Sequence, residues 1–167
     1  MSQESLTIDL RSLARDGRRL EGDVPVAALS RLAESVLEPV GAVHFQLQGE
    51  CDDADGKGRL YIELDIQSDL ILQCQRCLEA LTQPCVVHNR LLLLRPGELP
   101  PEDDLENDDL DALDVEPLVD VLALVEDELL LALPLVPRHD ACEAPAEAGG
   151  DEEISPFAVL QQLRGKV

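Results

Sequence analysis

The sequence has no tryptophan, and its phenylalanines and tyrosine total three. Its core must therefore be aliphatic, and it lacks the exposed aromatic rings on which single-strand nucleic-acid binders stack bases. Positive charge is also scarce: 13 Lys and Arg against 35 Asp and Glu leave a net charge of −22. Phosphate neutralisation by Lys and Arg supplies most nucleic-acid affinity, so this balance makes the molecule a poor direct binder and points to a basic partner. No window of about 18 residues is both apolar and uncharged, which predicts no membrane-spanning helix. The start, Met1-Ser2-Gln3-Glu4, has neither a basic segment nor an apolar one, so no signal peptide is expected and the cytoplasm is the expected location. The five cysteines are odd in number and irregular in spacing, unlike a secreted disulfide framework. Gly-rich phosphate loops, nucleophile elbows and His-Glu-x-x-His motifs are missing, and the expectation is a protein that is not an enzyme.

What is present is a globular composition, 45% hydrophobic over 167 residues, enough for one domain with a real core. Residues 1–138 read as a single α+β domain, and residues 139–167 as an acidic linker with a short amphipathic motif. Leu6, Ile8 and Leu10 alternate with polar neighbours as a first short strand. Arg11, Arg15, Arg18 and Arg19 follow, the only basic cluster. It is either an anion-binding or partner-binding face or a solvated segment pairing with the protein's own acids. Asp23 as cap and Pro25 in the first turn predict a helix carrying Val26, Leu29, Leu32, Ala33, Val36 and Leu37 on one face, stopped by Pro39 and Gly41. Val43, Phe45 and Leu47 alternate as a strand, and Leu60, Ile62, Leu64, Ile66, Leu70 and Leu72 as a longer one. Leu81, Cys85, Val87, Leu91 and Leu93 form a third. The predicted sheet is antiparallel, a meander or partly closed.

From Glu98 to Glu128 there are fourteen acids, and no Lys or Arg lies between Arg95 and Arg138. The first part, 98–114, reads as a mobile acidic loop, either a docking strip for a basic protein or a solubilising segment. The pairs Asp103/Asp104 and Asp108/Asp109 lack the apolar frame that nuclease metal ligands need. Pro117 opens a long apolar C-terminal helix lined by Leu118, Val121, Leu122, Val125, Leu129 and Leu133, and Pro134 and Pro137 end it. Beyond the linker, Phe157, Leu160 and Leu163 fall at helical spacing. That motif either binds a partner or folds back on its own domain.

Cys74-Gln-Arg-Cys77 stands where one long strand hands over to the next. A turn between strands suits a metal knuckle; a thioredoxin-type pair instead needs its first cysteine at a helix N-terminus. With acids such as Asp69 and Glu79 nearby, the thiols are not expected to be strongly acidified. Cys74, Cys77, His139 and Cys142 together make a Cys-x-x-Cys plus His-x-x-Cys set, soft donors at spacings zinc tolerates. Between the halves lie 61 residues, so spacing alone leaves open a structural zinc site or a plain pair of turn cysteines. With four protein ligands, such a zinc would have no open position for catalysis.

Cys74-Gln-Arg-Cys77, the run Val125-Glu-Asp-Glu-Leu-Leu-Leu-Ala-Leu-Pro-Leu-Val-Pro-Arg-His139, Cys142 and Pro156-Phe-Ala-Val-Leu160 together resemble the YceD family of large ribosomal RNA subunit accumulation proteins. The resemblance implies a bacterial cytoplasmic protein needed for synthesis, processing or stability of large-subunit (23S) rRNA, with no catalytic activity established. It gives Cys51 and Cys85 no role. Combined with the charge, it predicts an indirect link to rRNA through a basic ribosomal protein or assembly factor. A thiol redox protein using Cys74/Cys77 and a direct RNA binder using Arg11–Arg19 are the competing readings.

Overall fold

A computed structural model describes residues 6–53, 58–101 and 110–145. Its elements run β1 (Thr7–Ile8), α1 (Leu10–Arg15), β2 (Arg19–Pro25), a 3-10 turn (Val26–Ala28), α2 (Ser30–Ser35), β3 (Ala42–Asp52), β4 (Arg59–Gln73), β5 (Ala80–Leu94), β6 (Leu110–Asp114), β7 (Val119–Asp120) and α3 (Val121–Ala132). The fold is α+β and mostly strand. β2 to β6 form one five-stranded sheet in chain order, and β1 pairs with β7 in a separate two-stranded ribbon.

The period-2 alternation decides which face of the sheet is covered. Leu60, Ile62, Leu64, Ile66, Leu70 and Leu72 of β4 point to one side, opposite Phe45 and Leu47 of β3 and Val87 and Leu91 of β5. Leu10 and Leu13 of α1, Leu32 of α2, and Val121, Val125 and Leu129 of α3 complete the same apolar cluster. All three helices thus lie on that side. The opposite face carries Glu21, Asp23, Glu50, Glu63, Asp65 and Asp69, with a small satellite of Tyr61, Leu92 and Leu94 under Arg90.

Several expectations need correction. The sheet is mixed, because β6 runs parallel to β5 from Arg90↔Leu110 to Leu94↔Asp114. Residues 110–114 are therefore a strand, although 98–114 reads as a loop; a strand pairs through its backbone, and the acids Asp111 and Asp114 do not prevent that. Residues 102–109, with both acid pairs, lie outside the described part. The helix expected over 26–37 shrinks to a 3-10 turn and the six residues of α2, since Asp23, Val24 and Pro25 are still paired to β3 as an edge strand. β2 itself escaped the pattern because Gly22 takes a core-facing position. A Cβ there would lie 2.9 Å from the Phe45 ring, which fills the space instead. Leu10 closes no first strand but opens α1, where Asp9 accepts a hydrogen bond from Ser12 N at 2.9 Å. The apolar helix does not extend from Pro117: the pairing of Thr7 with Asp120 and Ile8 with Val119 keeps the chain extended to Asp120, whose carboxylate then caps α3. Among the described residues no helix is long and apolar enough to cross a membrane.

Candidate metal centre

β4 ends at Gln73 and β5 begins at Ala80, so Cys74 and Cys77 occupy the turn between the two longest strands. The turn is closed by Leu78 N donating to Cys74 O and Cys74 N donating to Glu79 O, both at 2.9 Å. Leu78 adopts φ 64, the left-handed conformation needed to bring the chain back into β5. From the other direction, Pro134 and Pro137 follow the end of α3 at Ala132, where the chain turns back toward the sheet. Gln75 N donates to Pro137 O at 2.9 Å, which carries residues 138–142 over the turn.

That placement unites the two halves that 61 intervening residues separate in the sequence. Cys74 Sγ, Cys77 Sγ, Cys142 Sγ and a His139 ring nitrogen all lie within 4.8 Å of one another. Cys74 and Cys142 are 3.7 Å apart, and Cys77 Sγ is 3.3 Å from His139 Nδ1. Tetrahedral zinc with Zn–S bonds of about 2.3 Å places its sulfurs about 3.8 Å apart. His139 Nε2 bonds the Ala80 carbonyl at 3.1 Å. A carbonyl can only accept, so the proton sits on Nε2 and the Nδ1 lone pair faces the sulfurs, the arrangement that metal-bound imidazoles adopt. All five cysteines are free.

The thiol expectation fails at Cys74. Its thiol is drawn down to about 5, chiefly by the backbone N–H of Cys77, with further N–H bonds from His139 and Arg76 outweighing burial. His139 N and Arg76 N each lie 3.5 Å from the sulfur. The nearby acids suggest an ordinary thiol, but the donors that matter are main-chain amides, which no side-chain pattern reveals. Cys142 is pushed up, first by burial and then by its contacts with Cys74 and Cys77. One acidified, buried sulfur held by amides beside two more sulfurs and an imidazole is a donor set for a soft divalent metal.

The arginines of the basic cluster stand in different settings. Arg11 is partly buried and donates to Leu93 O at 3.0 Å, and Arg19 pairs with Glu21 at 2.6 Å. Arg15 closes α1, and Arg18 lies beyond it; both are exposed. Phe157, Leu160 and Leu163 lie outside the described residues. Sequence reasoning missed the importance of the acids in α3. Glu126 is buried and accepts from Arg31 N, Leu32 N and the Arg31 guanidinium, which also pairs with Asp127. Glu128 accepts from Asn89 of β5. Asp127 and Glu128 thus fasten α3 to α2 and to the sheet.

Residues 62–164 match the family model described as large ribosomal RNA subunit accumulation protein YceD. The chain is similar to the protein of that name from Haemophilus influenzae, 31% identical over 188 aligned residues that cover 99% of this chain and 100% of that protein. No solved structure matches it.

Proposed function

The chain belongs to the YceD family, and on that premise we propose that it is a non-enzymatic factor supporting the synthesis, processing or stability of large-subunit rRNA. The observation that carries this reading is the similarity, along nearly the whole chain, to a protein named for large-subunit rRNA accumulation. The route is indirect. A net charge of −22 repels an RNA backbone, and Arg11 and Arg19 are already engaged within the protein. A basic ribosomal protein or assembly factor is the partner this charge attracts, and the open sheet face with Glu21, Asp23, Glu63, Asp65 and Asp69 is the surface that suits it.

Cys74, Cys77, His139 and Cys142 hold a structural zinc ion in this reading. Zinc would supply cross-linking, joining the chain after α3 to the β4–β5 turn, and four protein donors leave no ligand position for chemistry. Protein purified without a histidine tag should carry about one zinc, and Cys74→Ser should lose it. A thiol redox role has one observation in its favour, the acidified Cys74. Insulin reduction that disappears in Cys74→Ser would establish that role instead.

The functional test has two arms. Deleting the gene in its bacterial host should lower 23S rRNA relative to 16S, and the chain supplied in trans should restore the ratio. Capture of partners from lysate should survive nuclease treatment. An unchanged ratio sinks the rRNA role, and capture abolished by nuclease sinks the indirect route alone.

A further inference from the structure

Next to the metal centre, the ends of α2 and β4 and the segment after α3 enclose a groove of about 320 Å³, whose apolar lining of Val36, Leu37, Leu72, Leu133, Pro134 and Pro137 is interrupted by Ser35, Gln73 and Gln75. One wall is pinned, because Pro137 O accepts from Gln75 N between the two turn cysteines. Exposed aliphatic side chains accompany it: Leu37 in the lining is 43% exposed, and Leu135 and Val136, between the lining residues Pro134 and Pro137, are 100% and 51% exposed. Such a concentration of exposed aliphatic side chains, in a chain with 35 acids, marks a surface that something covers.

The sequence supplies an occupant already attached. The described chain stops at Pro145, three residues past Cys142, and residues 146–167 follow. Residues 156–167 contain Phe157, Leu160 and Leu163, and their only charges are Arg164 and Lys166, in a molecule of net charge −22. The segment is therefore apolar where the groove is apolar, and cationic where the rest of the protein is anionic. Ten residues, 146–155, separate Pro145 from Pro156 and span at most about 33 Å when extended. Pro137, in the groove wall, is only five residues before Cys142, so the tether is ample. Covalent attachment through ten residues gives an effective concentration on the order of millimolar, enough to seat a segment of weak intrinsic affinity.

We propose that this groove is the docking site of the chain's own C-terminal segment, residues 156–163, with Phe157, Leu160 and Leu163 as the side chains it takes. The segment then covers the apolar end of the molecule beside the metal centre and leaves the acidic sheet face open. The proposal stands on the groove and the tether, independently of zinc or of the role in rRNA accumulation.

The absence of tryptophan provides a clean probe. In full-length Phe157→Trp, emission from the introduced indole should be blue-shifted and shielded from acrylamide, equally at every dilution. Adding Leu37→Asp, at a half-exposed position the fold tolerates, should return emission to that of a solvated indole. As a second reading, removing residues 154–167 should speed amide exchange at Val36, Leu37, Leu133, Leu135 and Val136. A solvated indole in the Phe157→Trp protein would overturn the proposal. So would burial that fades on dilution, which means a second copy, or burial that appears only when a basic partner protein is added. Zinc content measured on the same sample separates the two ideas: a shielded indole in zinc-free protein supports the groove while removing the metal.

Discussion

Replacing Glu126 by alanine should destabilise the fold by about 2–4 kcal/mol, and the structure allows that figure to be assembled. Glu126 is 3% exposed, and its Oε1 accepts Arg31 N at 2.7 Å and Leu32 N at 3.1 Å. Its Oε2 accepts from Arg31 Nε at 2.9 Å. These bonds cap α2 from outside, because Leu29 stands at the cap position with no side chain able to do so. In Glu126→Ala the N–H of fully buried Leu32 loses its acceptor where water cannot replace it, a cost of about 1–3 kcal/mol. The Arg31 side chain is half exposed and recovers hydration, so its share is small and the total falls below the roughly 3–5 kcal/mol typical of wholly buried pairs. Glu126→Gln keeps an oxygen for both amides and loses only the charge assistance, on the order of 1 kcal/mol. Urea unfolding reads the difference as a midpoint shift at constant slope. The reasoning is refuted if alanine costs less than about 1 kcal/mol, the toll of an average substitution, or if glutamine is as damaging as alanine.

Three further outcomes are expected. With zinc held by the proposed cysteine–histidine set, its binding energy is folding energy, so chelation should lower the melting temperature markedly and Cys74→Ser should abolish that response; an unchanged thermogram with chelator removes the metal. Gly49→Ala should cost about 1–3 kcal/mol in denaturant unfolding, because a Cβ there would sit 2.3 Å from Leu13 O and 2.7 Å from Ala14 Cα, backbone atoms of α1 that cannot swing aside. The His88 imidazole is raised above its ordinary value by its hydrogen bond to Asp65, 2.6 Å away, so the stability it adds is complete below about 6.5 and fades as pH rises through the raised value. Asp65→Asn should bring the His88 titration, followed by NMR, back to the ordinary range and flatten that alkaline slope.

The long strands were legible because each has one dry face and one wet one. Alternation in β3, β4 and β5 follows directly from Phe45, Leu64 and Val87 facing the same core. Legibility failed where the periodic residue was replaced by something that fills the space from elsewhere. Gly22 hides β2 because the Phe45 ring supplies the missing volume. Asp111 and Asp114 hide β6 because its pairing to β5 is made by the main chain. Val26, Leu29 and Leu32 do reach the core as a helical reading requires, but by a tight turn and a six-residue helix in place of a long one. The metal donors divide the same way. Each pair is visible from its spacing, whereas their meeting depends on the path of the chain after α3.

That path is where the acids of α3 and the cysteines become a single construction. Residues 138–142 reach the β4–β5 turn only if α3 lies at the correct angle across the sheet. Its angle is held at two points: Glu126 and Asp127 grip Arg31 of α2, and Glu128 grips Asn89 of β5. Glu128 is held above the usual carboxylate range, mainly by burial, so this second grip has a desolvation cost. A helix with an apolar face could slide along an aliphatic core at little expense, since such packing is not directional. Charged bonds to specific atoms remove that freedom, and the bond from Gln75 N to Pro137 O ties the chain beyond the fixed helix end to the cysteine turn. The cysteine turn therefore meets His139 and Cys142 because three consecutive acids, Glu126-Asp127-Glu128, set the register of the helix that precedes them.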